Sequence, residues 1–535
     1  MNRNELRNEV ERRWPGQAQC RYNGSNCEVT CTHAVLPELS GRLFLEWNYS
    51  FGGLIVEEGS DEWQLRYVFY GDGEVGRPTD NGFVHVPVTA PLADKTFPSI
   101  AKFVHAADWH EREAEDMFGV VFEGHPRLGD FILHDDAWQE GVEPMRRSFD
   151  AQAAMHHRRP ATDWRPRRIV QEPGAFVMPV GPKYSGVTEP AHFLLESVGE
   201  DVIRSTPRLF YKWRAVEKLA EGKTPDRVLL LAERFAATTA FAHGLAFCEA
   251  VERICGANVP PRARILRVFL AELERLRQHA GAIQEICEST GLVVANSQAG
   301  ILEEDLLRTS GELTGHRYLF GLVALGGLSR NLSDEACAKA LEQCRRTLKL
   351  LNQLEQRLRV SSSFLDRLEQ VGIVPQRTAW VYGLLGPIAR ASGVVRDLRR
   401  AQPYLSYEDY QFDVPGETEG DGYARLRILF AEARQSVRIM EQAVAALQTQ
   451  QSNNPIIHQS LSLGAGAALG WVEAPRGATF HWVRLNDEGK IVRYHILTPS
   501  FANWHGFHLA VEKFAFQDFP IMLSTFDLSV AENDR

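Results

Sequence analysis

Ile265, Phe269, Leu273, Leu276, Ala280, Ile283 and Cys287 fall three or four residues apart. That spacing places them on one face of a single long helix, which Pro260-Pro261 can open because proline lacks the N–H that a first turn leaves unpaired. An apolar face of that length needs partners of similar length, so this part of the chain is constrained to a bundle of helices. Comparable runs open at Asp334 and pass through Leu341, Cys344, Leu348, Leu351 and Leu358, and others cover 376–384 and 422–447. The stretch 233–252, ERFAATTAFAHGLAFCEAVE, reads as part of another helix, capped by Asp226 and closed by Gly256. Within it Glu233, Arg234 and His243 stand among Ala and Phe. Buried polar groups need partners, so this helix is expected to border a site. Ala236-Ala237-Thr238-Thr239, in its middle, is chemically quiet.

Strand-like pieces flank the bundle. One hairpin is expected from 177–180 and 192–198 around a Gly/Pro loop, with 208–219 following as helix or turn. A second is expected over 478–497, turning at Asn486-Asp487-Glu488-Gly489, and a last helix over 501–514. Upstream, alternation predicts a small α/β unit with strands over 27–32, 42–47, 53–56, 63–69 and 83–88. A helix capped by Asp108 and ended by Phe118-Gly119 follows. Its carboxylates Glu111, Glu113, Glu115 and Asp116 invite a metal reading, but an ion-paired face with Arg112 is the simpler one. Cys27 and Cys31 are four apart without a second pair, so they are not read as metal ligands. Residues 146–168 hold seven arginines against two aspartates, a break in composition read as a solvated linker, with contact to a partner or anionic lipid as the alternative. The expected division is therefore an α/β domain at 1–150, a linker at 151–170, and a mainly helical domain with peripheral hairpins at 171–535, an α+β fold overall.

Composition serves to exclude. A chain of 535 residues is too long for one core, and a net charge of −10 argues against nucleic acid as a partner. No run approaches the roughly 18 apolar residues of a membrane span. The opening MNRNELRNEVERRW is charged and amphipathic, unlike a signal peptide, and eight scattered cysteines suit a reducing compartment.

The order of motifs carries a resemblance. ADWHEREAEDMFGVVFEGHPRLGDFILHDDAW, followed by EPMRRSFD, is similar to the thirty-kilodalton subunit of respiratory complex I, where this segment docks the subunit on its neighbour. GPKYSGVTEPAHF, LFYKWRAVEKLAEG, VPPRARILRVFLAELERL, TGHRYLFGLVALGGL, GPIARASG, VEAPRGATFHW and DFPIMLSTFDLSVAENDR resemble the forty-nine-kilodalton subunit and the large subunit of nickel–iron hydrogenases. The membrane-bound, energy-converting hydrogenases of the formate hydrogenlyase and hydrogenase-4 type carry both parts fused, as here. Their nickel is held by two CxxC pairs, which fall on Ala236 and Thr239 and on Ser529 and Glu532. All four thiolates are absent, and soft sulfur is what such a site requires, so the resemblance implies a form without the metal.

In the complex I branch a quinone head group takes the metal's place. It is held by a histidine of the first hairpin loop, where this chain has Lys183 and Tyr184, and by a tyrosine, here Ala237. Lys183 and Tyr184 are thus the expected quinone-side residues. Glu189, His243, Arg476 and Asp527 match polar residues of the family pocket and are the expected relay. The resemblance implies no cofactor in this chain and a [4Fe-4S] cluster in a small iron–sulfur partner resembling the cluster-N2 subunit of complex I. Antiporter-like membrane subunits are the other expected partners, with attachment at the cytoplasmic side of the inner membrane. Three readings follow: a subunit that reduces a quinone and couples this to ion translocation, a non-catalytic coupling scaffold, or a hydrogenase, the last in conflict with the four substitutions.

Overall fold

The computed structural model describes residues 3–24, 26–71, 82–127, 131–134, 136–139, 141–156, 170–182, 189–450, 455–457 and 461–535. Lys183, Tyr184 and most of the arginine-rich stretch lie outside these residues. After helix α1 (Arg3–Arg13) the chain builds a five-stranded sheet in the order β1-β2-β5-β4-β3. The strands are β1 (Ala18–Asn23), β2 (Asn26–Cys31), β3 (Tyr49–Glu58), β4 (Glu62–Gly71) and β5 (Phe83–Pro91), with only β2 and β5 parallel. The expected strand at 42–47 is instead a helical turn, Arg42–Glu46, continuing the helix Leu36–Gly41. Arg42 pairs with Glu38 at 3.0 Å and Glu46 at 2.5 Å, each four residues away, and this helical spacing overrides the alternation.

Helix α2 (Asp108–Phe118) ends at Gly119, whose φ of 70° suits glycine, but Asp108 lies in its first turn rather than at the cap. Its carboxylates do not form the expected ion-paired face with Arg112. Glu111 is fully buried and accepts from Tyr67, Ser99 and the Ile100 N–H, while Asp116 accepts the N–H groups of Phe131, Ile132 and Leu133. The second half of the chain covers this helix, so its acids must find protein donors in place of water. Trp109 stacks on His505 with ring centres 5.0 Å apart, and one apolar core runs without interruption from the sheet into Phe501, Trp504 and Phe507.

Beyond the linker, β6 (Ala175–Val180) and β7 (His192–Val198) form the expected hairpin, and β8 (Asp201–Arg208), not foreseen, adds a third strand. The bundle consists of α3 (Pro225–Arg234), α4 (Ala240–Cys255), α5 (Pro261–Ser289), α6 (Val293–Thr314), α7 (Asp334–Leu358) and α8 (Gly422–Gln448). Helix α7 opens at Asp334 as expected, and Ser333 caps it by accepting from the Ala336 N–H. The run at 376–384 yields only Gln376–Val381, since Gly383 turns left-handed at φ 64°.

Two differences matter for function. The single helix expected from Asp226 to Gly256 is broken: α3 starts after Thr224 at Pro225 and stops at Arg234, a one-turn 3-10 segment covers Ala237–Thr239, and α4 starts at Ala240. Glu274 of α5 causes the restart, because its carboxylate accepts the N–H groups of Phe241 at 2.8 Å and Ala242 at 3.0 Å and so caps α4 from a neighbouring helix. Secondly, α5 is not a one-sided stripe. Arg262, Arg267, Glu272, Glu274, Arg275, Arg277, Gln278 and His279 are buried as well, because α4, α6, α8 and the chain's last helix surround it.

The sheet β9 (Gly466–Ala474), β10 (Gly477–Leu485), β11 (Ile491–Leu497) contains the second expected hairpin plus one strand. The helix expected over 501–514 is α9 (Pro499–Val511), and a further one, α10 (Phe519–Phe526), follows it. Residues after α10 turn inward, and Glu532, Asn533, Asp534 and Arg535 are buried. Among the described residues no helix is long and apolar enough to cross a membrane.

Candidate functional site

Three breaks in regular structure meet at one place: the 3-10 turn between α3 and α4, the β9–β10 corner at Arg476, and the segment after α10. Asp527 closes α10 with a left-handed φ of 46°, which swings the following residues back into the bundle. Thr239 Oγ1 then donates to Glu532 Oε1 at 3.0 Å, joining residues 293 positions apart. Ser529 Oγ accepts from the Glu532 N–H at 3.2 Å, and the Ser529 N–H donates to Ser500 Oγ at 3.1 Å. Ala236, buried, leads into the same turn. The four positions that the resemblance assigns to metal ligands are thus brought to one locus from the two ends of the bundle.

Arg476 organises it. Its Nε donates to the Asp527 carbonyl at 2.5 Å, one terminal nitrogen donates to Asp527 Oδ1 at 3.1 Å, and the other donates to Thr238 Oγ1 at 3.0 Å. That second nitrogen is also 3.6 Å from Glu532 Oε1. Gln278 of α5 donates to both Asp527 carboxylate oxygens at 3.0 Å, and Arg277 donates to the Thr238 carbonyl. One cation thus faces two carboxylates in a water-poor setting, where charges must be paired to be tolerated. Burial pushes the Glu532 carboxyl up, but His243 and Arg476 more than offset this and hold it at about 2. Burial alone dominates at Glu274 and lifts its carboxyl to about 7 against the Arg277 charge and its two N–H donors.

His243, fully buried, links the locus to the β10–β11 sheet. Its Nδ1 is 3.1 Å from His481 Nε2, and His481 Nδ1 is 2.8 Å from the Tyr494 hydroxyl. The His243 Nε2 faces Glu532 Oε1 at 3.7 Å and has no hydrogen-bond partner within the described chain. Burial, reinforced by His243, holds His481 well below the usual histidine range, so its ring is neutral.

Of the expected residues, His243, Arg476, Asp527, Thr239, Ser529 and Glu532 come together. Glu189 does not join them: a third exposed, it lies 3.4 Å from Lys212. Its charge, after burial and the opposing Arg214, contributes to raising the buried Asp534 carboxyl to about 7. His481, Tyr494, Thr238, Gln278 and Glu274 were not foreseen. The RLRQH run at 275–279 carried the one usable signal, since so many polar residues on a helix that long leave no side for water alone.

The donor set does not fit a nickel–iron group. Ala236 offers no ligand atom, the Thr239 hydroxyl is committed to Glu532, and Glu532 is committed to Thr239 and Arg476. Cys248 is about two helical turns into α4 from the break, and burial pushes its thiol well up, away from the thiolate that a metal needs. Among the described residues no group of three or more His, Cys, Asp or Glu side chains is placed to hold a metal ion. Pro387, Arg425, Arg476 and Asp527 border a small enclosed cavity of about 10 Å³, no more than one water's room.

Comparison with known proteins agrees with both halves. Residues 30–155 match the family described as respiratory-chain NADH dehydrogenase, 30 Kd subunit, and residues 300–462 and 451–535 match the 49 Kd subunit. Formate hydrogenlyase subunit 5 of Escherichia coli is 29% identical over 515 residues, covering 95% of this chain and 88% of that protein. The C/D subunit of NADH-quinone oxidoreductase from Bdellovibrio bacteriovorus is 32% identical over 345 residues, 63% of this chain and 60% of that one. In the solved structure of the membrane-bound sulfane sulfur reductase, an archaeal respiratory membrane complex, one chain superposes with a TM-score of 0.63 at 25% identity, covering 68% of this chain and 100% of that chain. With both matches in one polypeptide and in the same order as in these relatives, the chain is a fused 30-kDa/49-kDa-type subunit of the complex I and membrane-bound hydrogenase family.

Proposed function

We propose that this chain is the pocket-bearing subunit of a membrane-attached, complex I-like oxidoreductase that passes electrons to a quinone-like acceptor, in a complex that couples the transfer to ion translocation. The carrying observation is the Arg476–Asp527–Glu532–Thr239 set, which occupies the assigned ligand positions with groups that hold charge and protons. Reduction of a quinone to a hydroquinone takes two electrons and two protons. The electrons come from an iron–sulfur cluster of a small partner subunit. This chain's own part is electrostatic: the Arg476 cation favours negative charge developing on an acceptor oxygen, and His243 Nε2, which faces Glu532 at 3.7 Å, is placed to exchange a proton. The cavity at Arg476 is too small for a ring, so the acceptor is reduced at the pocket's mouth or after a rearrangement that opens it. The complex sits on the cytoplasmic side of the inner membrane, held there by antiporter-like subunits.

The relatives differ in acceptor, a quinone in one name and sulfane sulfur in another. The test therefore assays the purified complex with decylubiquinone and, separately, with dimethyl trisulfide. Quinone reduction that falls about 10²-fold in Arg476→Ala, the usual loss when a donor to developing charge is removed, is the expected result. Clusters that become reduced but are reoxidised by neither acceptor would establish the scaffold reading instead. Nickel in stoichiometric amount would overturn the ligand argument.

A further inference from the structure

The hydrogen-bonded series His243–His481–Tyr494 leads away from the pocket, where only its first member faces a carboxylate, Glu532, and all three side chains are fully buried. Apolar groups of similar shape would pack there without the cost of burying polar atoms, so the series asks for an explanation. Its chemistry is distinctive. Imidazole and phenol are each both donor and acceptor, so the chain can be polarised in either direction. In one state Tyr494 donates to His481 Nδ1, His481 Nε2–H donates to His243 Nδ1, and His243 Nε2–H points at Glu532. In the other state each proton has moved one place toward the pocket: the Tyr494 proton to His481 Nδ1, the His481 proton to His243 Nδ1 and the His243 proton out at Nε2, while the Tyr494 oxygen has taken a proton from its far side. Passage from one to the other carries one proton along the series and leaves each ring neutral. The pocket end is open, since His243 Nε2 faces Glu532 at 3.7 Å without a hydrogen bond.

The far end points to the seam with the α/β part. Glu217 acts electrostatically on both His481 and Tyr494. Its carboxylate accepts from His495 at 3.0 Å and the Ile496 N–H at 2.9 Å, and pairs with Arg493 at 3.0 Å. Glu217 lines an enclosed cavity of about 20 Å³, room for a water, together with Glu113, His110, His495 and Asn533. His110 Nδ1, His495 Nε2 and the Asn533 amide have no hydrogen-bond partner within the described chain, the condition under which buried water is held. Phe118, Met145 and Arg493 are shared between this cavity and an open cleft at the β3–β4 hairpin. Among the described residues no direct hydrogen bond joins Tyr494 to Glu217, and a proton crosses there by motion of the phenol hydroxyl.

We infer that His243, His481 and Tyr494 form a proton relay between the Arg476–Glu532 pocket and the Glu217 cavity at the α/β seam, supplying protons to the pocket from the side away from Glu189. The other titratable or charged groups facing the series are Glu532, Arg476, Glu217, Cys248, His495 and Arg535. The relay's supply of protons to an acceptor rests on the proposed quinone chemistry, whereas its proton conductance does not.

Two measurements separate the two. In the isolated full chain labelled with ¹⁵N-histidine, exchange of the His481 ring proton with water is followed by NMR. Tyr494→Phe keeps the ring and removes the hydroxyl, and it is expected to slow that exchange about tenfold or more. Unchanged exchange in a folded Tyr494→Phe chain overturns the relay, and the Glu189→Gln chain, with the relay intact, is expected to exchange as the parent does. In the assembled complex, decylubiquinone reduction is expected to lose kcat severalfold in Tyr494→Phe, with KM held and the solvent deuterium isotope effect raised. An unaltered isotope effect would reduce Tyr494 to a structural role and overturn the supply of protons. A parent complex that reduces no quinone would refute the proposed function, and the exchange measurement would still decide the relay.

Discussion

Helix α5 carries charge on two faces, and the two clusters are built to different rules. Behind it, Glu272, Arg275 and His279 meet Arg399, Asp397, Arg390 and Glu432. Glu272 alone binds Arg399 at 2.9 Å, Tyr407 at 2.7 Å and Ser436 at 2.8 Å. Despite burial, the surrounding arginines hold the carboxyls of Glu272, Asp397 and Glu432 below the ordinary range. In front, Glu274, Arg277 and Gln278 face the pocket, where burial pushes the Glu274 carboxyl up to about 7. Carboxyls held ionised by paired arginines can only hold the bundle together, whereas a carboxyl lifted toward neutral pH can gain or lose a proton.

The strongest way to break this contrast is at the rear. Arg390→Ala leaves Glu432 and Glu473 short of a buried cation they bind at 2.7 and 2.9 Å. It is expected to cost about 3–5 kcal/mol, read as a large fall in unfolding temperature by calorimetry. A loss below about 1 kcal/mol would erase the distinction. Arg476→Ala is expected to cost less, about 1–3 kcal/mol, because Gln278 still binds Asp527 and Thr239 still binds Glu532, while turnover collapses.

The next comparison uses pH. The Glu274 carboxyl, ordinarily at 4.5, rises to about 7 when folded. The folded chain therefore retains a proton that the unfolded chain releases between those values, and stability falls as pH rises through that window. Glu274→Gln should remove this slope, gaining roughly 2 kcal/mol on the parent between about pH 5 and pH 8 in denaturant titrations. A slope as steep as the parent's would place the raised carboxyl elsewhere. Smallest of all, Arg345→Ala breaks a 2.7 Å pair with Glu441 in which both partners are more than a third exposed. It should change stability by no more than about 0.5 kcal/mol, which would show that burial, not ion-pair length, sets the rear cluster apart.

The sequence made much of this legible. Apolar periodicity located the long helices of the bundle, and motif order placed both halves in their family. Arg476, Asp527 and Glu532, read from motifs alone, do meet. What periodicity could not show was the break at Ala236–Thr239, because its cause is Glu274 on another helix, more than thirty residues away. Nor could it separate a stripe from a buried cylinder: α5 is enclosed by neighbours whose positions no local pattern encodes. The α2 acids read as paired with Arg112 for the same reason, since their real donors come from other elements, and at Arg42 ion pairs at helical spacing outweigh alternation. His481 and Tyr494 lie on adjacent strands at unrelated sequence positions, and only the sheet register brings them to His243.

Arg535 has a consequence for the order of assembly. Its guanidinium binds Glu113 of α2 at 2.8 and 3.0 Å across 422 residues of chain. Closing a loop of that size in an unfolded chain costs on the order of 5 kcal/mol of entropy, and the contact gains a foothold only after the intervening bundle has shortened the path. Seating of the segment after α10 and completion of the α2 surroundings are then one late kinetic event. Refolding followed at the two places should report a single slow phase, and the pocket matures only when the α/β part is already in position.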